Sequence, residues 1–389
     1  MFNDYLESLD FLKHKFRQLQ RRQILFSIDG KVKSKQGMSQ KKRNIVKRDL
    51  NQRFINLGRK AFTSNVYLRI LYCYNDNSPP TVVNASKNML DLMHVNRNQQ
   101  DPRENDGAIR SRLPYYDDSQ VSFLSVRQNI EMQSAGAHIL IESFNAVLEY
   151  ANIFKRLKDE NRVAGRERER DVDLTEPINY PVNSLGYKIE MYQRQQDILR
   201  INEVQPFYLD LLYNHNKYKR RGTSFVDILM TVLKYPIRVS VTIPRNTEEI
   251  VSQKEVITKK LSAFKKQYPL FSALYGPIIL SVFYKPKNNI NLKDVDNFIR
   301  EVVAPCFEAI FTPPSRMFAP TKEELATIRA VNYCNNLNGH IMGYDILRLP
   351  DSREHTKHDA VCIIGFHMES HSDVIGSLKE EIEKILEHA

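Results

Sequence analysis

The sequence predicts an α+β (mixed α/β) fold that is built twice along one chain. Short apolar runs rich in Ile, Val, Phe and Tyr, typical of buried strands, alternate with stretches of helical periodicity. The order strand, helix, strand, turn, helix, loop and strand then occurs again about 200 residues further along. We therefore expect the tandem duplication of one domain, with the two copies forming an intramolecular pseudo-dimer.

The predicted organisation is two domains and a connector. We assign residues 1–135 to the first domain and residues 235–389 to the second, which ends in a helix. Residues 136–234 form a helical, charged connector, in which residues 155–175 alternate in sign as a solvated helix or flexible linker does. A chain of 389 residues is long enough for such an arrangement.

The composition favours a protein of the cytoplasm. Hydrophobic residues make up 42 %, which is enough for real cores, yet there is no uncharged apolar run of 18 residues to span a membrane. The N-terminal segment carries acids early and lacks the apolar stretch of a signal peptide. The four cysteines are scattered without a C-x-x-C motif, so we expect reduced thiols.

The elements of the first half are predicted mainly from periodicity. Residues 1–24 have the spacing of an amphipathic helix, and a second helix is expected to face inward through Ile45, Leu50, Phe54 and Leu57. Strands are predicted at 23–29, at 66–74 and after the acidic turn at 117–118, with a helix in the second part of 81–93 and another at 136–158.

The second half follows the same order. A strand is predicted at 236–244, and Asn246 is expected to cap the helix that follows, with acids in its first turn. The apolar run from Gly276 predicts a buried strand, and the next helix should kink or restart at Pro305. A strand within 336–350, another strand at 359–368 and a closing helix complete the prediction.

Positive charge is concentrated in residues 31–60. This segment holds eleven basic residues and one acid, a net +10 in a chain whose total is +11. Such a segment neutralises phosphates, although a solvated helix face would have the same composition. The residues that we expect to contact nucleic acid are Lys31, Lys33, Lys35, Lys41, Lys42, Arg43, Lys47 and Arg48.

A D-x-D-N stretch joins the Gly276 strand to its helix. In extended backbone, side chains two residues apart point to the same face, so Asp294 and Asp296 can converge on one point beside Asn297. Oxygen ligands of this kind suit Mg²⁺ or Mn²⁺. The alternative is that these acids cap a helix or lie in a solvated turn.

The order of these motifs resembles the RusA family of Holliday-junction resolvases. The segment LPYYDDSQVSFLSVRQ is similar to that family's acidic turn and following strand, and KDVDNFIREV is similar to its D-x-D-N stretch. VVNASKNMLDLM looks like the same helix without the leading acids, and SKQ at 34–36 resembles the family's basic loop. The resemblance covers roughly residues 20–130 and 235–370.

The resemblance implies a fold, an activity and a set of site residues. Members of the family are dimers of small mixed α/β subunits that cut branched DNA, with Asp carboxylates that hold Mg²⁺ and a lysine that assists. In the second half it implies Asp294 and Asp296 as metal ligands, Asn297 as their neighbour and Arg300 at the lysine position. Asn338 stands there in place of the later acid.

The first half retains the complementary residues. Lys87, Asp117 and Asp118 match the family pattern, with Asp118 as a further metal ligand, whereas Thr81 and Val83 occupy the D-x-D positions. Neither half carries the full set. If the halves stand back to back, we expect a single weakened site in the second half and a first half kept for DNA grip. If the acid pairs meet, the site is composite.

Three functions remain open from the sequence. The first is a Mg²⁺- or Mn²⁺-dependent endonuclease for branched DNA such as Holliday junctions, with one weakened or composite site. The second is a catalytically inactive protein of the same origin that binds branched or duplex DNA. The third is an interaction or scaffold protein with a different partner for its basic surface. The chain is expected to act as a monomeric pseudo-dimer or as a homodimer.

Overall fold

The computed structural model of the chain has a mixed α/β architecture. The residues that the structure describes are 8–20, 24–30, 37–56, 58, 61–74, 81–93, 113–129, 135–149, 153, 243–244, 246–267, 278–284, 292–310, 341–348 and 363–368. In this part of the chain, no helix is both long enough and apolar enough to cross a membrane.

Two halves contribute the helices and strands. The first half contains α1 (Leu9–Gln20), β1 (Ile24–Asp29), α2 (Gln40–Asn56), β2 (Val66–Cys73), α3 (Val82–Met93), β3 (Val121–Asn129) and β4 (Gly136–Ser143). The second half contains α4 (Thr247–Gln267), β5 (Ile278–Tyr284), α5 (Leu292–Phe298), a π-helical segment (Ile299–Val303), α6 (Ala304–Ile310), β6 (Ile341–Arg348) and β7 (Ile363–Met368).

The described strands form one sheet of seven strands that runs through both halves. Their order is β1-β4-β2-β3-β6-β5-β7. β2 is parallel to β3 and β5 is parallel to β6, while every other neighbouring pair is antiparallel. The halves are therefore joined edge to edge through the antiparallel pair β3–β6.

The sheet has the same order on both sides of this central pair. β4-β2-β3 on one side is mirrored by β7-β5-β6 on the other, with the same parallel and antiparallel pairings. The register of each parallel pair shifts at the first step, between Val66 and Tyr67 in β2 and between Ile278 and Ile279 in β5. Ser125 pairs with Asp345 at the middle of β3–β6.

Helices α2 to α6 pack on one face of the sheet and share a core with it. Alternate residues of the central strands face this layer, among them Leu68 and Ile70 of β2 and Ile346 of β6, all of them fully buried. The same cluster includes Leu50 and Phe54 of α2, and residues of α3, α4, α5 and α6. One apolar core thus spans both halves.

A buried ion pair lies on the opposite face of the sheet, across β3–β6. The guanidinium of Arg127 donates to both carboxylate oxygens of Asp345, at 2.9 and 3.0 Å. Gly343 stands opposite Arg127, and a Cβ there would lie 2.8 Å from the Arg127 Cδ and 2.5 Å from the carbonyl oxygen of Val126. Glycine at this position therefore leaves room for the arginine to reach the carboxylate.

Several local predictions are confirmed. The backbone N–H of Glu249 donates to Asn246 Oδ1 at 2.8 Å, which is the expected N-cap of α4. The helix before Pro305 widens to π geometry, and the Ala304 N–H bonds to the carbonyl of Ile299 before α6 continues. Proline has no N–H, so a change of helical pairing at this point is a natural accommodation.

Two local predictions are wrong. The segment 136–158 was expected to be helical, yet its first eight residues form β4, with Ala137, Ile139 and Ile141 buried at alternate positions. Burial at every second residue is the pattern of a strand. The strand β4 pairs with both β1 and β2. Ile45 was expected to face inward but is 48 % exposed, because it lies about 140° around α2 from Leu50.

Other predictions fall outside the described residues. They concern most of the connector, nearly all of the predicted strand at 236–244, Asn338, Leu57 and the closing helix.

Candidate active site between the two halves

The D-x-D-N stretch lies in a helix, so its expected extended backbone is wrong. Asp294 is in the first turn of α5, with Asp296 and Asn297 further along it. Residues two apart on a helix are separated by a rotation of about 200° around its axis, so their side chains point to nearly opposite sides. Asp296 is consequently only 1 % exposed, whereas Asp294 is half-buried. The two carboxylates of this motif, Asp294 and Asp296, therefore do not converge on one point as their spacing had suggested.

Asp296 is the buried carboxylate at the centre of the site. The hydroxyl of Tyr344 on β6 donates to its Oδ1 at 2.8 Å, and the same hydroxyl contacts Ser86 of α3. Burial raises the pKa of the carboxyl to about 6. The Tyr344 hydrogen bond and the charges of Arg300 and Lys87 lower that pKa, while the charge of Asp118 raises it.

A lysine from the first half reaches the motif of the second half. The Nζ of Lys87 on α3 donates to Asn297 Oδ1 at 2.7 Å. The guanidinium of Arg300 donates to the same oxygen at 3.0 Å and also pairs with Glu301 at 2.6 Å. Asn297 therefore accepts from two cations that come from different halves and holds both beside Asp296.

The two acids of the first half have different roles. Asp117 caps the short 3₁₀ turn Asp118–Gln120, since its Oδ1 accepts from Ser119 N at 2.7 Å and Gln120 bonds back in a capping box. Asp118 lies next to Tyr115, whose pKa is raised first by burial and then by Asp118. The carboxylate that faces the site is thus Asp118, and Asp117 shapes the turn.

The structure brings the acids of both halves together, so the expectation of halves standing back to back is wrong. Asp118 and Lys87 from the first half both act on the pKa of Asp296 in the second. The turn is also tied to β6, because Arg348 donates to the carbonyl of Ser119 at 3.2 Å. The predicted residues that lie together are Lys87, Asp118, Asp296, Asn297 and Arg300.

Asp294 lies at the edge of this cluster. Burial raises the pKa of Tyr284, at the end of β5, to about 12. The charge of Arg348 lowers this pKa, and the charge of Asp294 raises it. Asp294 is therefore near the β5 end of the site.

The donor set fits a hard divalent cation held by two carboxylates. No group of three or more His, Cys, Asp and Glu side chains in the described residues is placed to hold a metal ion. Mg²⁺ commonly takes one or two carboxylates and completes its shell with water and phosphate. Asp118 and Asp296 are the candidate pair. Burial is the main cause of the raised pKa of Asp296, and Asp118 is near enough for its charge to raise that pKa further. The Oδ1 of Asn297 already accepts from Lys87 and Arg300.

The basic helix α2 lies beside α3, the helix that carries Lys87. Arg43 contacts Asn88 Oδ1 and lies 3.8 Å from a carboxylate oxygen of Asp91, both on α3. Arg53 pairs with Asp49 at 3.1 Å within α2.

The side chains of the predicted nucleic-acid residues differ in exposure. Lys41, Lys42 and Arg48 are exposed, while Lys47 and Arg43 are half-buried. Lys31, Lys33 and Lys35 lie outside the described residues. Of the predicted contacts that are described, the exposed three are therefore the best placed to meet a polyanion.

Sequence reasoning missed the tyrosines around the carboxylates. Tyr72, Tyr115 and Tyr344 are fully buried, and each is close enough for Asp118 or Asp296 to alter its pKa. In the sequence, Tyr72 and Tyr344 belong to apolar strand runs and do not stand out as polar. The only available signal is that strand alternation puts both on the helix side.

A scan against models of known protein families finds no match to this chain, and a search of curated proteins finds none either. The functional assignment accordingly depends on the site itself.

Proposed function

We propose that this protein is a metal-dependent endonuclease for branched DNA, with one active site assembled from two divergent copies of a RusA-like domain. The observation that carries the proposal is the meeting of Lys87 and Asp118 from the first half with Asp296 and Asn297 from the second. The residues that the resemblance assigns to one subunit are thereby united across the halves.

The sheet supports the duplication. Each half contributes a parallel pair flanked by an antiparallel strand, and both parallel pairs have a register shift at their first step. The central pairing of Ser125 with Asp345 is where a pseudo-two-fold axis would pass. A single chain then supplies both partners of a RusA-like dimer, so a monomer suffices for activity.

The residues divide the work of phosphodiester hydrolysis. Asp118 and Asp296 would hold a divalent cation, which would supply a hydroxide nucleophile and would stabilise charge that develops on the phosphate. Lys87 and Arg300 are fixed by Asn297, and their positive charges stabilise the same developing charge without having to reorganise. Tyr344 orients the carboxylate of Asp296.

DNA is the substrate that fits the charge. The exposed residues Lys41, Lys42 and Arg48 project from a helix that packs against α3, so a phosphate backbone bound there lies near Lys87. This arrangement allows the protein to bind DNA independently of its base sequence.

One observation favours a binding-only function instead. The charges of Lys87 and Arg300 already offset that of Asp296, and Tyr344 hydrogen-bonds to it, so the cluster is compensated without a cation. A protein that has lost catalysis would retain such a core and still bind branched DNA through α2.

The test is nicking of a labelled four-way junction, with the matching linear duplex as substrate control. Wild type should nick the junction with Mg²⁺ or Mn²⁺ and not with a chelator. Asp296→Asn and Asp118→Asn should both abolish nicking, while Glu308→Gln, an exposed acid on α6, should not. Salt-sensitive binding without nicking would establish the binding-only function, and the absence of both would refute a DNA substrate.

A further inference from the structure

The hydroxyl of Tyr72 is one of the buried hydroxyls that have no hydrogen-bond partner among the described residues. Tyr72 on β2 is 0 % exposed, and its Oη makes no hydrogen bond within the part of the chain that is described. Leaving a buried hydroxyl unsatisfied lowers the stability of the folded state, so native proteins rarely keep one without an occupant.

Tyr72 lies on the side of the sheet that bears the site. It alternates with Leu68 and Ile70, which face the helix layer, and all three belong to the shared core. The pKa of its phenol is raised well above the ordinary value by burial, then by Tyr74 and by the charge of Asp296. The hydroxyl therefore stays protonated and stands within the field of that carboxylate.

Tyr344 provides the contrast. Its hydroxyl also faces Asp296, but it donates to the carboxylate at 2.8 Å and contacts Ser86 as well. One phenol beside Asp296 is thus satisfied and the other is not. A polar occupant near Asp296 would satisfy Tyr72, and a buried water molecule needs two to four polar partners of this kind.

We propose that Tyr72 is a positioning residue of the cation site, and that its hydroxyl holds a water molecule from the hydration shell of the ion between Asp118 and Asp296. This inference depends on the proposed function, since it requires that a divalent cation binds there. Water on a cation directs its hydrogens outward, so it donates to the phenol oxygen. The phenol is then free to donate its own proton to a neighbouring oxygen.

The matched pair of variants is Tyr72→Phe and Tyr67→Phe. Both tyrosines are on β2, but Tyr67 faces away from the site, where its ring packs edge-on against Phe123 at 5.1 Å. The probe is Mn²⁺ alone, titrated by calorimetry, together with thermal unfolding in chelator.

We expect Tyr72→Phe to bind Mn²⁺ about tenfold more weakly than wild type, as loss of an outer-shell partner does. In chelator it should unfold at or above the wild-type temperature, because the change removes an unsatisfied hydroxyl. Tyr67→Phe should bind Mn²⁺ as wild type does.

Three results would overturn the inference. Wild-type affinity in Tyr72→Phe would show that the hydroxyl does not serve the ion, while the cation site itself would stand. Failure of Tyr72→Phe to fold in chelator would show that the hydroxyl has a structural partner. Absence of Mn²⁺ binding by wild type would refute the cation site and this inference together.

Discussion

Lys87 and Asn297 lie 210 positions apart in the chain, yet the lysine Nζ is 2.7 Å from the amide Oδ1. The lysine is on the helix that resembles a D-x-D-N helix without its acids, and the asparagine is on the helix that keeps them. In the proposed function, each half therefore supplies what the other lacks. The contact is the geometric basis for treating the two halves as one site.

Replacing Lys87 by Met should lower metal-dependent nicking of the junction by about 100-fold, because a fixed charge that stabilises the transition state is lost. Lys87→Arg should retain part of the activity. The control is Lys259→Met, which removes an exposed charge from α4. Equal rates for wild type and Lys87→Met would exclude the lysine from catalysis.

Asp296→Asn should stabilise the protein above pH 6 in the presence of a chelator. The carboxyl has a folded pKa of about 6 against an ordinary 3.8, so the folded state holds its proton more tightly than the unfolded state. The ionised group therefore costs stability above pH 6, and this cost disappears as the pH falls toward 4. The difference corresponds to about 3 kcal/mol.

This effect is measured by thermal unfolding at pH 8 and pH 4. The gain of Asp296→Asn over wild type should be large at pH 8 and near zero at pH 4, and Glu308→Gln should show no such pattern. A variant less stable than wild type at pH 8 would contradict the raised pKa.

The Arg127–Asp345 pair should hold the seam between the halves. Arg127→Met or Asp345→Asn alone leaves a charged or polar partner buried, and each should lower the free energy of unfolding by about 3–5 kcal/mol. The double replacement Arg127→Met/Asp345→Asn should cost less than the sum of the two. Denaturant titration measures this, and additive losses would mean that the pair has no coupling.

The exposed face of α2 should determine DNA affinity. Replacing Lys41, Lys42 and Arg48 by Gln should weaken binding to all DNA sequences alike. The slope of the logarithm of the binding constant against the logarithm of the salt concentration should become shallower by up to about three. Arg43→Gln/Arg53→Gln is the control, since both arginines already bond within the protein. An unchanged slope in the triple variant would assign the DNA-binding surface to another part of the chain.

The sequence was sufficient for what local physics determines. Periodicity correctly predicted α2, β2, β5 and the cap of α4, because caps and alternation depend on near neighbours. It failed at 136–143, where a strand runs directly into a helical segment at 144–149 and the two periods merge.

The proposed composite site was one of two alternatives that the sequence left open, and local patterns could not choose between them. The meeting of Asp118 with Asp296 depends on the pairing of β3 with β6, and no local pattern specifies which edges of two half-sheets will join. The role of Tyr344 was likewise hidden, because its ring suits a buried strand and only tertiary packing brings its hydroxyl to a carboxylate.

The most direct test of the account is the stoichiometry and affinity of Mn²⁺ binding to wild type, Asp118→Asn and Asp296→Asn, measured by calorimetry. A composite site predicts one ion per chain, with each replacement weakening its binding at least tenfold. The two losses should not add in the double variant, because both residues serve the same ion. Undiminished binding by Asp118→Asn would confine the site to the second half and contradict the central claim.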